Sequence, residues 1–236
     1  MKITVINGNT RHGSTWHCMD LIIQELSKYD EIEKNEIILP RDLPEFCHGC
    51  FSCFLNGEDT CPHAGYVAPI VKAVLEADLI ILTSPVYGMD VTGQMKAFID
   101  HLCFMWVSHR PNTRMFTKIG LTVTTTAGAG LNHATKTMRN CLNFWCVRKT
   151  YSFKKAVAAL KWADVSEKKQ AQIKSEAEKL AKQISKSVKN VKRLPKPLLM
   201  RLMFKMLSGA MKKDNWNQRD KSYWEMQGWL SGVKQF

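Results

Sequence analysis

The chain has 236 residues, 45% of them hydrophobic, which is enough for one large α/β domain with a buried core. No run of about 18 or more apolar residues occurs, so no membrane-spanning helix is predicted. The formal net charge of +13 is unevenly distributed, because 17 lysines and arginines accompany 14 acidic residues up to Ala163 and 17 accompany only 7 from Asp164 onward. In this last third the basic residues are mixed with acids and form no aromatic and basic stripe, which argues against a nucleic-acid partner.

Short apolar strands alternate with helical patterns through the first two thirds of the chain. The predicted strands are 2–8, 36–39, 78–84, 119–125 and 150–156, and the predicted helices are 14–29, 66–76, 92–106 and 132–144. Several of these strands are apolar throughout, which is typical of a parallel sheet covered by helices on both faces. Residues 1–163 are therefore expected to form one α/β domain. The first residues form its first strand and lack the features of a secretory signal, so the cytoplasm is the expected location.

Residues 164–236 are expected to form a helical extension. A polar helix is predicted at 164–190, and the LPKP sequence at 194–197 separates it from a second helix at 198–212. Apolar side chains cover most of the circumference of this second helix and need a cover that keeps them from water. The candidates are a second subunit and an anionic membrane surface. Its methionine-rich composition favours the subunit, so we expect a homodimer with exchanged C-terminal arms and no membrane contact.

The loop at 8–15, GNTRHGST, follows the first strand, and ligands of such sheets bind beyond the carboxyl ends of the strands. Asn9, Ser14 and Thr15 supply hydrogen-bonding groups. Arg11 supplies positive charge, and the start of the following helix adds free backbone amides. These features predict a phosphate site that is neither a P-loop nor a GxGxxG fingerprint. The alternative is an ordinary helix start that Ser14 or Thr15 caps.

Two further segments are expected at the same edge of the sheet. The segment at 84–101 has the sequence SPVYGMDVTGQMKAFIDH. Its Pro85 and Gly88 shape a turn, and its Tyr87 offers a ring face or a hydroxyl to a ligand. The loop at 124–130, TTTAGAG, has small residues that permit a close approach of the backbone. Three such loops at one edge indicate a ligand site much more strongly than any one of them alone.

Four of the eight cysteines lie close together at Cys47, Cys50, Cys53 and Cys61, in a segment without a helix or strand pattern. In a cytosolic chain such crowding favours metal or redox chemistry over a disulfide framework. The spacing suits a [4Fe–4S] cluster, in which three near thiolates and a more distant fourth converge. Zinc, which prefers two separated pairs, and four free thiols remain as alternatives.

In this order, the motifs GNTRHGST, CHGCFSC, SPVYGMDVTGQMKAFIDH and TTTAGAG resemble the NADPH-dependent FMN reductase family, especially its iron–sulfur flavoprotein-like branch. The resemblance covers about residues 1–160. It implies a flavodoxin-like, doubly wound, five-stranded parallel sheet that binds FMN and takes a hydride from NAD(P)H. The family usually has Ser where this chain has Asn9, and often Asn where it has Ser14. Both replacements keep the capacity for hydrogen bonds.

The same resemblance implies roles for particular residues. The phosphate of FMN would lie against Asn9, Arg11, Ser14 and Thr15. The isoalloxazine ring would lie between Pro85, Val86, Tyr87 and Gly88 on one side and Thr126, Ala127 and Gly128 on the other. The four clustered cysteines resemble the iron–sulfur flavoprotein pattern with a longer final gap, which would make them the ligands of a [4Fe–4S] cluster.

The expected function is an oxidoreductase that passes electrons from NAD(P)H through FMN to a small-molecule or protein acceptor. The cofactor carries this chemistry, so no side chain is predicted to be catalytic. His101 is expected at the surface or at an interface, and no set of residues has the spacing of a hydrolase. The alternatives are an electron carrier without a nicotinamide site and, less favoured, a metal- or redox-responsive binding protein.

Overall fold

The computed structural model describes residues 1–213 and 216–234. Its strands are β1 (Lys2–Asn7), β2 (Glu33–Ile38), β3 (Leu79–Pro85), β4 (Ile119–Thr126) and β5 (Lys149–Ala156). Its α-helices are α1 (Ser14–Leu26), α2 (Ser52–Leu55), α3 (Ala64–Glu76), α4 (Gly93–His101), α5 (Leu131–Phe144), α6 (Glu167–Lys189), α7 (Leu198–Lys213) and α8 (Gln218–Met226). All five predicted strands are present, whereas α2 and α8 have no counterpart among the predicted helices.

The five strands form one parallel sheet in the order β2-β1-β3-β4-β5. Because neighbouring parallel strands need a crossover connection, helices return along the faces of the sheet. The strand order reverses at β1, which has β2 on one side and β3 on the other. This is the doubly wound order of flavodoxin-like proteins, and it leaves a crevice beyond the carboxyl ends of β1 and β3. The predicted fold class is confirmed.

Alternate residues of the central strands face two separate hydrophobic clusters, as a side-chain period of two requires. Ile6, Ile80 and Leu82 belong to the cluster that includes residues of α3, α4 and α5. Val5 and Ile81 belong to the cluster that includes residues of α1 and α6. All five side chains are completely buried. The sheet is therefore covered on both faces, which holds its carboxyl edge and the loops there in a fixed position.

The helix predicted at 92–106 ends earlier than the sequence pattern indicates. Helix α4 stops at His101, and the chain continues as an irregular segment with two 3₁₀ turns, residues 102–118, which we call the ledge segment. Its Phe104 and Phe116 are buried in the cluster of α3, α4 and α5. The ledge segment thus extends this hydrophobic layer beyond the sheet.

The C-terminal extension packs on both sides of its own domain. Helix α6 contributes the regularly spaced Ile173, Ala177 and Ile184 to the cluster of α1. Helices α7 and α8 cover the ledge segment, where Phe204 and Trp224 are completely buried. The expectation of exchanged arms differs from this structure, in which the arm packs on its own chain. Exchange of the arms between two subunits stays a prediction.

In the part of the chain that the structure describes, no helix is both long and apolar enough to cross a membrane. The division into 1–163 and 164–236 stays a prediction, because α6, α7 and α8 share their hydrophobic clusters with the domain. Residues 214, 215, 235 and 236 of the extension lie outside the described residues.

Candidate cofactor site

A crevice lies beyond the carboxyl ends of β1, β3 and β4, where the three loops predicted from the sequence meet. It encloses a cavity of about 220 Å³. The predicted residues that line it are Asn9, Arg11, Ser14, Thr15, Pro85, Val86, Tyr87, Thr126 and Ala127. Gly88 and Gly128 lie in the same loops but do not line the cavity. The structure thus brings most of the predicted site together, and the binding role of these residues stays a prediction.

The start of α1 forms one wall of this crevice. The residue before the helix is Gly13, and among the described residues no side chain caps the helix there, so neither Ser14 nor Thr15 is a cap. The first hydrogen bond of the helix runs from the His17 N–H to the Gly13 carbonyl, at 3.0 Å. The amides of residues 14–16 therefore lack a helical acceptor. Together with the positive end of the helix dipole, they suit an anion.

Arg11 links this loop to a wall that the sequence analysis did not include. Its Nη2 donates to the carbonyl of Leu160, in the segment after β5. Val157, Ala159 and Leu160 of that segment line the cavity. The Arg11 N–H also donates to Asn9 Oδ1 at 3.0 Å, which holds the loop in shape. The position of the segment directly after a parallel strand was the signal that could have placed it at this edge.

Tyr87 joins the first loop to the second. Its phenol oxygen accepts a hydrogen bond from Asn9 Nδ2 at 2.9 Å. The turn that carries Tyr87 is closed by two backbone hydrogen bonds between Tyr87 and Asp90, at 2.9 and 3.1 Å. Gly88 has the left-handed φ of 53° in this turn, which favours glycine. Tyr87 remains 53% exposed, so its ring is accessible to a flat ligand.

The floor of the crevice consists of polar strand residues, of which the sequence analysis missed Asn7 and Thr83. Asn7, Thr83 and Thr125 all line the cavity. The hydroxyls of Thr15 and Thr125 are 2.6 Å apart, and the Thr83 hydroxyl donates to Asn7 Oδ1 at 2.7 Å. In the sequence these residues are ordinary members of strands, and no local pattern separates them from the core. Hydrogen bonds among its own side chains therefore hold the floor in place, and the floor presents hydroxyl and amide groups to a ligand.

Glu36 lies beside this floor as a carboxylate. It accepts hydrogen bonds from Asn7 Nδ2 at 2.5 Å, Lys34 Nζ at 2.8 Å and Trp16 Nε1 at 3.1 Å. Burial raises the pKa of Glu36, but the hydrogen bonds from Lys34, Trp16 and Asn7 outweigh it and hold the pKa below its ordinary value. Ionised Glu36 can only accept, so the Asn7 side chain turns its NH₂ group toward Glu36 and its Oδ1 toward the Thr83 hydroxyl.

The four-cysteine segment lies between β2 and α3, outside the cavity of the crevice. Cys47 and Cys50 are exposed, Cys53 and Cys61 are half-buried, and all four are free thiols. Burial, followed by the neighbouring thiols of Cys61, Cys47 and Cys50, raises the pKa of Cys53 to about 11. Among the described residues, no three Cys, His, Asp or Glu side chains surround a common metal position. The sulfur donors are thus neighbours with the chemistry of a cluster site, but they do not converge on one point.

His101 is buried, so the expectation that it lies at the surface or an interface is wrong. Its Nδ1 is 2.8 Å from the Ala97 carbonyl, and its Nε2 is 2.8 Å from Nδ1 of His63. Burial lowers the pKa of His101, which favours the neutral ring. In that form His101 donates from Nδ1 to Ala97 and accepts at Nε2 from His63. The side chain is therefore a structural link between α4 and the start of α3.

The fold and the crevice define a class. A doubly wound sheet with a crevice at the β1/β3 switch point and an open helix start for a phosphate is the arrangement of flavodoxin-like proteins. Comparison with family models matches residues 1–164 to the NADPH-dependent FMN reductase family. This match covers more than half of the chain, and the protein belongs to that family.

Curated relatives carry iron–sulfur and flavin names. The chain is 34% identical over 132 residues to an iron-sulfur flavoprotein of Archaeoglobus fulgidus, covering 55% of this chain and 56% of the relative. It is 32% identical over 108 residues to an iron-sulfur flavoprotein of Clostridioides difficile, covering 44% of this chain and 47% of the relative. The chain therefore spans about half the length of the curated relatives it matches.

Solved structures share the fold at low sequence identity. An FMN-dependent NADH-azoreductase from Bacillus anthracis, in complex with FMN, superposes with a TM-score of 0.57 at 12% identity, covering 77% of this chain and 100% of that chain. An NADH:FMN oxidoreductase in its apo form superposes with a TM-score of 0.52 at 19% identity, covering 77% of this chain and 89% of that chain. At these identities the likeness concerns the fold alone.

Proposed function

We propose that the protein is an FMN-dependent NAD(P)H oxidoreductase that passes electrons from a nicotinamide to an acceptor. The observation that carries this proposal is the uncapped start of α1 at the edge of the β1/β3 crevice. Family membership over residues 1–164 supports it. The printed names of relatives, among them an FMN-dependent NADH:quinone oxidoreductase of Herminiimonas arsenicoxydans, point to the same chemistry.

The chain's own residues have binding and orienting roles in this proposal. The amides of residues 14–16 and the Arg11 guanidinium hold the phosphate, and the turn of Tyr87 lies against the ring. The residues 126–128 lie against the ring from the neighbouring loop. Bound FMN would accept the hydride from the nicotinamide and pass the electrons on, so we assign no catalytic side chain.

The experiment is a measurement of FMN affinity in variants of the first loop. We expect FMN to be released from the denatured, cofactor-loaded protein. Arg11→Ala and Ser14→Ala should each weaken FMN binding about 10- to 150-fold, since a hydrogen bond to a charged group contributes about 1.5–3 kcal/mol. Thr10→Ala is the matched control, because Thr10 is exposed in the same loop and does not line the cavity. Release of FAD, release of no flavin, or equal affinity in all three variants contradicts the proposal.

Reduction by the nicotinamide needs its own measurement. Mixing the FMN-loaded protein with NADPH or NADH in a stopped-flow instrument should bleach the flavin absorbance within the turnover time of the enzyme. If neither nicotinamide reduces the flavin while dithionite does, the protein is an electron carrier without a nicotinamide site.

We also propose that Cys47, Cys50, Cys53 and Cys61 hold a [4Fe–4S] cluster, which would supply one-electron transfer. Four neighbouring thiols in the segment between β2 and α3 and the names of the curated relatives support this. Anaerobic reconstitution with iron and sulfide should bind roughly four irons per chain. Replacing any one of the four by Ser should sharply reduce the iron content and leave FMN bound. The buried Cys18 supplies the control variant, Cys18→Ala. Equal iron content in Cys18→Ala and in the four Ser variants would contradict the cluster proposal.

We further propose that the chain forms a homodimer through the outer side of α7. Leu198, Leu202 and Met206 follow each other at helical spacing and are exposed. The double variant Leu202→Glu with Met206→Glu should sediment as a monomer, whereas the parent chain should sediment as a dimer. A monomeric parent chain contradicts this, and flotation of that chain with anionic vesicles would assign the outer side of α7 to a membrane surface.

The eight free cysteines suit a reducing compartment, and we propose the cytoplasm.

A further inference from the structure

A second cavity lies between α3, the ledge segment and α8, and it shares no lining residue with the crevice. It encloses about 490 Å³. A compartment of about 310 Å³ adjoins it, because Glu58, Val71, Leu75 and Phe104 line both. Cavities of about 300–1,000 Å³ that combine an apolar wall with a few polar groups are typical of small-molecule sites. We call the two compartments together the α8 cavity.

One wall of the α8 cavity is apolar. Val71 and Leu75 lie one turn apart on α3, and both are half-buried. Phe104 of the ledge segment and Met226 at the end of α8 complete the wall, and Met226 is largely exposed. A ligand with an apolar body would remove these side chains from water. This wall lies next to a buried arginine, and the two together define the chemistry of the site.

That arginine is Arg110, whose side chain lines the α8 cavity and is nearly completely buried. Its Nη1 donates to the Phe54 carbonyl and to Asp220, and its Nη2 donates to the Cys53 carbonyl and to Glu58. Its Nε is buried and has no hydrogen-bond partner among the described residues. With its Nη donors in use and its Nε shielded by the surrounding protein, Arg110 contributes positive charge to this wall and no free donor.

A second guanidinium, that of Arg219, lines the same cavity from the first turn of α8. It lies directly against Gly57, close to the carboxylate of Asp59, and it is exposed. Around the two compartments, the cations outnumber the carboxylates. They are Arg110, Arg219, Lys72 and Arg114 against Glu58, Asp59 and the buried Asp220. This excess of a single positive charge matches a ligand with one negative charge.

We propose that the α8 cavity binds a small carboxylic acid with an apolar or aromatic body. The carboxylate lies against Arg219, on the side of the cavity that Arg110 makes positive, because guanidinium groups bind carboxylates through paired hydrogen bonds. The apolar body lies against Val71, Leu75 and Phe104. This site is distinct from the proposed FMN site and does not depend on a cluster. Residues of α8 and Arg110 both line the cavity, and Arg110 also donates to the Cys53 carbonyl. A bound ligand therefore stabilises the position of α8 and of the cysteine segment.

The test uses the full-length, FMN-loaded protein and titration calorimetry with 2-naphthoate as the probe. The matched neutral probe is 2-naphthylmethanol, which has the same rings without the charge. We expect saturable binding of the naphthoate and at least tenfold weaker binding of the alcohol. Arg219→Gln should weaken the naphthoate at least tenfold, and Leu75→Trp should abolish its binding by filling the cavity. Lys182→Gln, an exposed charge change on α6, should leave the affinity unchanged.

Three outcomes overturn the proposal. The first is no saturable binding of the naphthoate at millimolar concentration, and the second is equal affinity for the charged and the neutral probe. The third is unchanged affinity in Arg219→Gln, and a shifted flavin spectrum in that case would place the probe in the crevice. If Leu75→Trp fails to fold, as its circular dichroism would show, the milder Val71→Phe takes its place. Arg219 is exposed, so its variant keeps the test decisive in either case.

Discussion

Arg110 of the ledge segment and Asp220 of α8 form an ion pair in which the two side chains are only 7% and 2% exposed. The second carboxylate oxygen of Asp220 accepts from His109 Nδ1 at 2.7 Å and from Asn217 Nδ2 at 2.9 Å. Arg110 in turn donates to the backbone of the cysteine segment at Cys53. The pair therefore connects α8 to the ledge segment and, through Arg110, to the four-cysteine segment.

Removing one partner of this pair should strongly destabilise the protein. Asp220→Ala leaves Arg110 buried without its main counter-charge, which costs about 3–5 kcal/mol for a buried pair. We expect this loss in the free energy of unfolding, measured with urea. Glu225→Gln, an exposed change on the same helix, should stay within about 0.5 kcal/mol of the parent chain. If the two variants unfold at the same urea concentration, the pair does not hold the C-terminal helix.

Tyr223 should make the stability depend on alkaline pH. Burial raises the pKa of Tyr223 to about 12, and its hydroxyl donates to the Pro111 carbonyl at 2.8 Å. The unfolded chain loses this proton near pH 10, whereas the folded chain keeps it to about pH 12, so the folded state loses stability as the pH rises through this window.

The variant that isolates this effect is Tyr223→Phe. At pH 7 it should be less stable by about 0.5–1.5 kcal/mol, the usual contribution of one hydrogen bond. The interval from about pH 9 to about pH 11 spans the ordinary pKa of a phenol, about 10. Over this interval Tyr223→Phe should lose less stability than the parent chain, because it has no phenol to ionise. Urea unfolding at both pH values measures the difference. Parallel pH profiles for the two proteins would show that Tyr223 does not carry the alkaline loss.

Gly8 is the glycine of the first loop at which a side chain would disturb the crevice. A Cβ there would lie 2.9 Å from the Thr83 carbonyl oxygen and 2.9 Å from Thr92 Oγ1. Gly8→Ala should therefore lower the free energy of unfolding by about 1–3 kcal/mol and weaken FMN binding, because the loop must shift. Gly93→Ala is the control, since its Cβ would meet nothing within 4 Å and its stability should stay within about 0.5 kcal/mol of the parent chain. Equal stability of the two variants would contradict the close approach.

Two neighbouring positions on α7 should respond very differently to truncation. Phe204 is 0% exposed among the rings of Phe116, Trp224 and Trp229, so Phe204→Ala should lower the free energy of unfolding by about 3–5 kcal/mol. Leu202 is 57% exposed, and Leu202→Ala should change the stability of the monomer by no more than about 0.5 kcal/mol. Thermal and urea unfolding at low protein concentration measure both. A similar loss in both variants would mean that α7 is buried on both sides by a partner.

The sequence by itself was sufficient for the sheet and for most of the crevice. Buried parallel strands are apolar along their whole length, and the loops that follow them lie at one edge, so the positions of Arg11, Tyr87 and Thr126 could be inferred from chain order alone. The five strands and the residues of three loops follow from such local patterns. The ends of the helices were less predictable, as α4 shows by ending at His101. Helix α8 was missed because its sequence, QRDKSYWEM, is mostly polar.

Contacts between distant parts of the chain were decided only by the tertiary structure. Arg110 and Asp220 are 110 residues apart, His63 and His101 are 38 apart, and Arg11 meets the Leu160 carbonyl 149 residues away. A local pattern shows that a residue is charged or apolar, but it does not show which distant partner completes its burial. The arm shows the same limit, since Phe204 of α7 is buried against Phe116 of the ledge segment although no local pattern pairs the two rings.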